Sequence, residues 1–296
     1  MFSFAILSKT YYGLIDMEQF KNLLTSTALI PLWAKAVESQ SENPILTDDY
    51  AYPILKQLGY DLDYYSVKRQ NPSQVGCCLR AKWIDDETIK FVNLHEHSQV
   101  IQLGAGLDDR FRRLGMPESI ANWYDLDLEE VAEMRRAVIP EVERNSIIGM
   151  DMFDTSWMKT MKDSNLPTLI IIEGVLMYLD ETKIGRLLRD IAQHFRHATL
   201  LFDSVPKKAV GKAKYHDSVN LRNHAVEYTW GAKDQEYLLQ RFPEIKSVAM
   251  VRMSDLEGAS KFMLPLRLMY KIPYFYRNYN QLLFRAEVRG EPSGLI

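Results

Sequence analysis

From residue 98 onward, seven short apolar runs alternate with segments of helical period, and this alternation constrains the fold more than any other feature of the chain. The runs are SQVIQL, NWYDLD, SIIGMD, TLIIIEG, ATLLFDS, IKSVAMVR and LLFRAEV. Between the fourth and fifth, Ile184, Leu187, Leu188, Ile191 and Phe195 keep a helical spacing behind Asp180, a residue suited to accept first-turn amides. Strands separated by helices of about 10 to 15 residues build βαβ units, hence a parallel sheet covered on both faces. The expected fold class is α/β. Residues 17–97 show no convincing strand; the pattern predicts helices over 17–29, over 31–40 after a break at Pro31, over 48–58 and over roughly 73–92.

In an open parallel sheet the ligand sits beyond the carboxyl ends of the strands, where the strand order reverses. Those ends read Gly104-Ala105-Gly106, Asp125-Leu126-Asp127, Asp151-Met152, Glu173-Gly174 and Asp203-Ser204. A buried strand that finishes in a carboxylate needs a partner or a ligand for it, and four consecutive strands do so. Gly104 and Gly106 remove two Cβ atoms where the chain must turn and let a ligand approach its backbone. A dinucleotide fingerprint would place a third glycine at position 109. The chain has Asp109 there, preceded by Asp108, and two acids at a helix N-terminus suit the dipole but repel a pyrophosphate. The cradle therefore favours a ligand without phosphates. Asp125 and Asp127 lie about 20 residues past the first glycine, where an acid accepts ribose hydroxyls. Period-two alternation puts both on one face, so that one binds ribose while the other organises the loop, and Asp127 is the better ribose ligand. Asp151 and Met152 are placed to meet an adenine edge and an adenine face. This set describes S-adenosylmethionine better than NAD.

The 296 residues carry a net charge of -3, which gives no global field to draw in nucleic acid or an anionic membrane; either partner would need a local patch. Cys77 and Cys78 are adjacent, offer no disulfide framework, and fit packing residues in a reducing, cytoplasmic setting. TLIIIEGVLMYL is interrupted by Glu173 and is too short to span a bilayer. The opening MFSFAILS lacks a basic n-region and a cleavage site, and Met17 stands as an alternative start. His95 and His97 have no third metal ligand nearby, and no metal site is expected. KKAVGKAK reads as a solvated segment, and RLMYKIPYFYRNYNQLLFR as core packing beneath the last strand in preference to a pocket wall or a stacking platform for nucleic acid.

QVIQLGAGLDDRFRRL, YDLDLEEV, the Asp151-Met152 pair and PTLIIIEGVLMYLD together resemble the leucine carboxyl methyltransferase superfamily, in particular its bacterial branch of tetracenomycin-type polyketide O-methyltransferases. TSTALIPLWAKAVESQSENPILTDDYA is similar to the same branch. Matching stretches run from about 25 to 204, with a looser echo in YTWGAKDQEYLLQRFPEI. The resemblance implies a class I S-adenosylmethionine-dependent methyltransferase with a Rossmann-like, mostly parallel seven-stranded sheet. The expected division is a helical N-terminal extension over 1–97 and the sheet core over 98–296, with an insert at about 205–244 after the fifth strand, together one structural domain.

Carried onto this chain, the resemblance implies that Lys35 and Arg80 hold the methionine carboxylate of S-adenosylmethionine and that Gly104 lies against its amino-acid portion. Asp127 takes the ribose, Asp151 and Met152 flank the adenine, and Glu173 faces the amino group or the sulfonium. Ala105, Gly106, Asp125, Leu128 and Gly174 complete the expected cofactor-binding set, although a glutamate is commoner in the family where Asp125 stands. No catalytic residue is assigned; Glu173 and Tyr178 are candidates for positioning. The expected reaction is methyl transfer to an oxygen of a small-molecule acceptor, a carboxylate before a hydroxyl. A carboxylate is already ionised at neutral pH, whereas a hydroxyl needs a general base, for which His216, His224 and Tyr228 in the insert are the places to look. No nucleic-acid or membrane partner is expected, and the oligomeric state is left open. Two alternatives remain. An NAD(P)-dependent oxidoreductase has the missing third glycine and the paired acids against it; a non-catalytic S-adenosylmethionine-binding module has the intact acids and Arg80 against it.

Overall fold

The structure, a computed structural model, describes residues 23–63, 72–161, 165–212 and 227–289, and only the backbone of residues 23–27. Three helices precede the sheet: α1 (Leu23–Glu38), α2 (Ala51–Gln57) and α3 (Pro72–Leu94). Where a break was expected, α1 runs unbroken through Pro31. Leu29, Leu32, Trp33, Ala34 and Ala36 are buried against Ile54, Leu55, Cys78 and Ala81 of α2 and α3, and this packing outweighs the one amide that proline removes. The part of the predicted first helix before residue 23 lies outside the described residues. α2 begins where Asp48 Oδ1 accepts from the amides of Tyr50 and Ala51 at 3.1 and 3.0 Å.

All seven apolar runs form strands: β1 (Ser98–Leu103), β2 (Ile120–Asp127), β3 (Asn145–Gly149), β4 (Thr168–Ile172), β5 (Ala198–Ser204), β6 (Ile245–Arg252) and β7 (Leu282–Val288). They make one sheet in the order β3-β2-β1-β4-β5-β7-β6. The first five are parallel, and β7 runs antiparallel to both β5 and β6. The order reverses between β1 and β4, which pair directly, so the loops that follow them rise side by side over the switch point. β1, β4 and β5 are buried along their whole length, as strands covered on both faces must be.

Alternate residues of these strands feed two cores. Ile101, Leu103, Ile170, Ile172, Leu200 and Phe202 face α7 (Glu181–His194) and α8 (Gln235–Arg241). Val100, Leu169, Ile171 and Leu201 face Ile84, Phe91 and Val92 of α3. α7 carries the predicted spacing, with Ile184, Leu187, Leu188 and Ile191 buried beside Phe195, and Asp180 caps it by accepting the Lys183 amide at 2.8 Å. The remaining helices are α4 (Arg110–Arg113), α5 (Glu129–Val138), α6 (Ser156–Lys159), α9 (Leu264–Tyr270) and α10 (Pro273–Asn278).

The aromatic stretch that contains α9 and α10 does not pack beneath the last strand as expected: neither helix has a buried residue. The pairing explains why. Arg252 ends β6 and Leu282 begins β7, and Leu282 lies opposite Ser204 at the carboxyl end of β5. The connection therefore stands on the ligand side of the sheet. Of the insert, Pro206 and Ala232 form an isolated parallel bridge, while His216 and His224 lie outside the described residues. Among the described residues, no helix is long and apolar enough to cross a membrane.

Candidate active site

The glycine loop is held from below by the end of β2. Gly104 and Gly106 have φ of +72° and +54°, a region open to glycine and strained for other residues. A Cβ on Gly104 would also stand 2.5 Å from Val175 Cγ2. The Gly104 and Ala105 amides donate to the Leu126 carbonyl at 2.8 and 3.1 Å. Asp127 fixes the other side of the turn, accepting the Gly106 amide on Oδ2 at 2.7 Å and the Leu128 amide on Oδ1 at 2.8 Å. Burial pushes its carboxyl above the ordinary range even though these two amides pull it down.

Asp125 sits deeper on the same strand. It accepts from Trp123 Nε1 at 2.9 Å, from Arg135 at 2.6 Å and from Asn145 Nδ2 at 3.0 Å, and the same Arg135 donates to the Gly106 carbonyl at 3.1 Å. Asp125, expected among the cofactor-binding residues, is thus a support of the loop and not a wall of the cleft, while Asp127 lines it. Period alone gives the shared face but not the depth.

A cleft of about 820 Å³ opens above the switch point. Lys35, Arg80, Gly104, Ala105, Gly106, Asp127, Leu128, Asp151, Met152, Glu173, Gly174 and Tyr178 all line it; Asp125 does not. Asp151 is exposed and accepts the Phe153 amide at 2.9 Å, and Met152 packs at the edge of the core. Gly174 follows Glu173 with φ +70°, its amide donating to Asp203 Oδ1 at 2.6 Å, and a Cβ there would lie 3.2 Å from Arg80 Nη2.

Under the cleft runs a connected set of buried charges. Arg80 donates from Nε to Glu173 at 2.9 Å and from Nη1 to Asp203 at 3.1 Å. Arg110 reaches the other oxygen of Glu173 at 2.5 Å, Asp85 at 2.6 Å and Asp108 at 3.1 Å. Arg113 binds Asp48 at 2.9 Å, Asp85 at 2.9 Å and Asp108 at 2.6 Å, and Lys35 also contacts Asp108. Burial alone would raise the Glu173 carboxyl, but Arg110 and Arg80 outweigh it and hold it at about 2. Asp108 is likewise kept well below the carboxylate range, its burial being overcome by Arg110, Arg113 and Lys35. Burial raises the Asp203 carboxyl despite Arg80 beside it.

This network changes the account of Asp108 and Asp109. They were expected at a helix N-terminus, suited to its dipole and repelling a pyrophosphate. Instead α4 has only four residues, Asp109 makes no cap bond and pairs with Arg112, and Asp108 is neutralised by three cations. No helix N-terminus of useful length points into the cleft here, so a pyrophosphate lacks the site that a dinucleotide enzyme would give it.

Some residues of the site were not marked by sequence reasoning. Gln102, on β1 just before the glycine loop, lines the cleft, and its buried Oε1 has no hydrogen-bond partner among the described residues. Its signal was present: a polar residue inside the buried run SQVIQL. Arg110 and Asp85 had no local signal, because their partners are distant in sequence. The far wall comes in part from the aromatic stretch for which a pocket wall was the second reading: Met269, Tyr270 and Tyr279 line it, together with the unmarked Met253, Phe262 and Leu266. Burial pushes the Tyr178 and Tyr270 phenols up to about 12. Tyr228 is buried beside Tyr178, with ring centroids 5.9 Å apart. Cys77 lines the cleft and burial raises its thiol to about 11, while Cys78 is buried in the helical core. His95 packs on the ring of Phe91 at 4.5 Å.

The residues present suit S-adenosylmethionine. Glycines at 104 and 106 open the backbone, the second pair of lone pairs on Asp127 is available to hydroxyls, and the orphaned Gln102 Oε1 and the Arg80 guanidinium suit an ammonium and a carboxylate.

The family model for leucine carboxyl methyltransferase matches residues 28–192. The tetracenomycin polyketide synthesis O-methyltransferase TcmP of Streptomyces glaucescens is 29% identical over 220 residues, covering 74% of this chain and 79% of its own. The S-adenosyl-L-methionine-dependent methyltransferase dpfgK of Gibberella zeae is 27% identical over 238 residues, with the same shares of 74% and 79%. Among solved structures, a candidate methyltransferase from Thermobifida fusca superposes with a TM-score of 0.56 at 13% identity, covering 89% of this chain and 94% of that one, which is a likeness of fold. Both alternatives raised by the sequence, an NAD(P)-dependent oxidoreductase and a non-catalytic binding module, give way to these findings. The chain belongs to the leucine carboxyl methyltransferase family, has the class I methyltransferase fold and is an S-adenosylmethionine-dependent methyltransferase.

Proposed function

We propose that the protein methylates an oxygen of a small-molecule acceptor, a carboxylate in preference to a hydroxyl, within a single structural domain. The observation that carries this reading is the state of the acceptor wall. Among the described residues, Met253, Phe262, Leu266, Met269, Tyr270 and Tyr279 line it with Tyr178, and none is a carboxylate or imidazole; the Tyr178 and Tyr270 phenols are protonated hydrogen-bond donors and poor bases. An acceptor that arrives ionised suits such a wall; a hydroxyl acceptor would have to be deprotonated by it.

In this reading Asp127 receives the ribose, Asp151 and Met152 flank the adenine, and Gln102 accepts from the ammonium. Arg80, assisted by Lys35, holds the methionine carboxylate. Glu173 keeps Arg80 oriented and presents negative charge to the cationic end of the cofactor. When bound, S-adenosylmethionine supplies a methyl group on an electrophilic sulfonium. The chain has to align the acceptor oxygen and exclude water, which is the work of Tyr178, Tyr228 and the apolar residues around them. A small acceptor in a cytoplasmic setting agrees with the mildly acidic net charge of -3, since a nucleic-acid substrate demands compensating cations.

The test uses methyl-labelled cofactor and mixtures of small organic acids. Label is expected in a product that mild alkali releases as methanol, with a rate that is flat from pH 6 to 8, above the carboxylic range. Alkali-stable label would reject the carboxylate and direct the search to a hydroxyl acceptor and a base.

A further inference from the structure

The connection between β6 and β7 has an outer face that the cleft does not use. Leu266, Met269, Tyr270 and Tyr279 turn toward the cleft. Leu264, Leu268 and Ile272 instead recur every fourth residue on the outside, 60%, 51% and 50% exposed, with Met263 and Tyr274 beside them at 42% and 52%. Among the described residues, five of the eight exposed large apolar side chains fall between 263 and 274, so this is a patch and not the scatter found on any surface.

The connection carries two acids, Asp255 and Glu257, before α9, and Asp255 accepts from the Tyr276 hydroxyl at 2.6 Å; past them the charge is one-sided. Residues 258–286 contain Lys261, Arg267, Lys271, Arg277 and Arg285 and no aspartate or glutamate, in a chain of net charge -3. Arg267, Lys271 and Arg277 are exposed. Two cations of the neighbouring insert join them: Lys208 donates to the Tyr274 hydroxyl at 3.0 Å, and Lys212 lies 6.0 Å from the centre of the Tyr279 ring. The sequence required a local patch before any anionic surface could be a partner, and this segment is one.

A second copy of the chain is a poor cover for it. A two-fold interface would set Arg267 and Lys271 against their own images, and like charges brought together oppose association. Outward leucine and isoleucine side chains rimmed by cations, with a tyrosine at their margin, match the boundary of an anionic bilayer. The apolar side chains enter the headgroup region while the cations stay with the phosphates. We propose that the α9–α10 segment docks the protein on an anionic lipid surface, with the mouth of the cleft beside it. The docking stands independently of which acceptor is methylated.

The full chain, sedimented with vesicles of phosphatidylcholine alone or of phosphatidylcholine mixed with phosphatidylglycerol, tests this. It is expected to pellet with the mixed vesicles at low salt, to leave them as salt rises, and to ignore the neutral ones. Arg267→Gln with Lys271→Gln should weaken partitioning about fivefold for each cation removed. Leu268→Ser with Ile272→Ser should weaken it by about tenfold or more, with an unchanged melting temperature, since both side chains are half exposed. A wild-type chain that stays in the supernatant of the mixed vesicles overturns the proposal, as does partitioning indifferent to both double variants. Self-association abolished by Leu268→Ser with Ile272→Ser, in a chain that ignores vesicles, would assign the ridge to a second copy instead.

Discussion

The two walls of the cleft are made of opposite materials. On the cofactor side, the ends of β1, β4 and β5, the short helix α4 and the facing helix α3 meet through buried ions: Arg80, Arg110 and Arg113 against Asp85, Asp108, Glu173 and Asp203. On the acceptor side, Met253, Phe262, Leu266, Met269, Tyr270 and Tyr279 meet through apolar and aromatic surface, with no buried residue in α9 or α10. Buried ions demand one geometry, because each must find its partner or go unpaired at high cost. Apolar contacts, which need no particular partner, tolerate many. A methyltransferase fold can thus hold one cofactor rigidly while the opposite wall is free to differ between acceptors.

Breaking the ionic wall should have the largest effect. Arg110 is fully buried and serves Asp85, Asp108 and Glu173 together. Arg110→Met takes one cation from three buried carboxylates and leaves Arg80, Arg113 and Lys35 to hold them, so it should cost about 3 kcal/mol of stability in urea titration, the low end for a broken buried pair. Acid attacks the same place. Glu173 titrates from 4.5 in the unfolded chain to about 2 when folded, so its contribution is complete above pH 4.5 and is lost as pH falls from there to about 2. Melting temperatures followed down that range should fall, and a wild-type chain whose stability is level across it would contradict the pairing.

Weakening the contacts with the ligand, and leaving the network beneath them, should cost less. Asp127→Ala removes the acceptor of the Gly106 and Leu128 amides together with the proposed ribose ligand. Isothermal calorimetry should show S-adenosylhomocysteine bound about ten- to a hundredfold more weakly, roughly 1.5–3 kcal/mol. Asp125→Asn should alter that affinity less, because Asp125 stands outside the cleft, and should lower the melting temperature instead through Arg135. If the two variants lose affinity alike, Asp125 is a ligand after all.

The contrast between the walls also explains what was legible in the sequence. Strand tips are local: Gly104, Asp127, Asp151 and Glu173 each close an apolar run, and the rule for parallel sheets says where such ends converge. Arg110 was not legible, because Asp85 and Glu173 lie 25 and 63 residues away and only the folded chain brings them to it. Pro31 misled because local propensity predicts a break that packing of α1 on α3 suppresses. The α9–α10 segment misled for another reason. Its aromatic content reads as core, yet the antiparallel return of β7 places it over the strand ends instead of beneath them.

The acceptor wall should yield the smallest effect, and the one most diagnostic of its role. Tyr178 stands at the junction of the walls, on the 3₁₀ turn Leu176–Tyr178 that follows Gly174, with its ring against Tyr228. Tyr178→Phe keeps the ring and removes one hydroxyl donor, a loss of roughly 0.5–1.5 kcal/mol when the partner can turn to water. If, as proposed, the acceptor takes that bond, KM for the acceptor should rise a few-fold, kcat should change little, and cofactor affinity should stay at the wild-type value. The variant should also be more stable than wild type in alkali. A phenol raised from 10 to about 12 contributes stability that is intact below pH 10 and disappears as pH rises through 12, and phenylalanine has no such titration. A large fall in kcat with unchanged KM would instead show the hydroxyl acting on the reacting atoms, and the acceptor wall would then hold a catalytic group as well as an apolar surface.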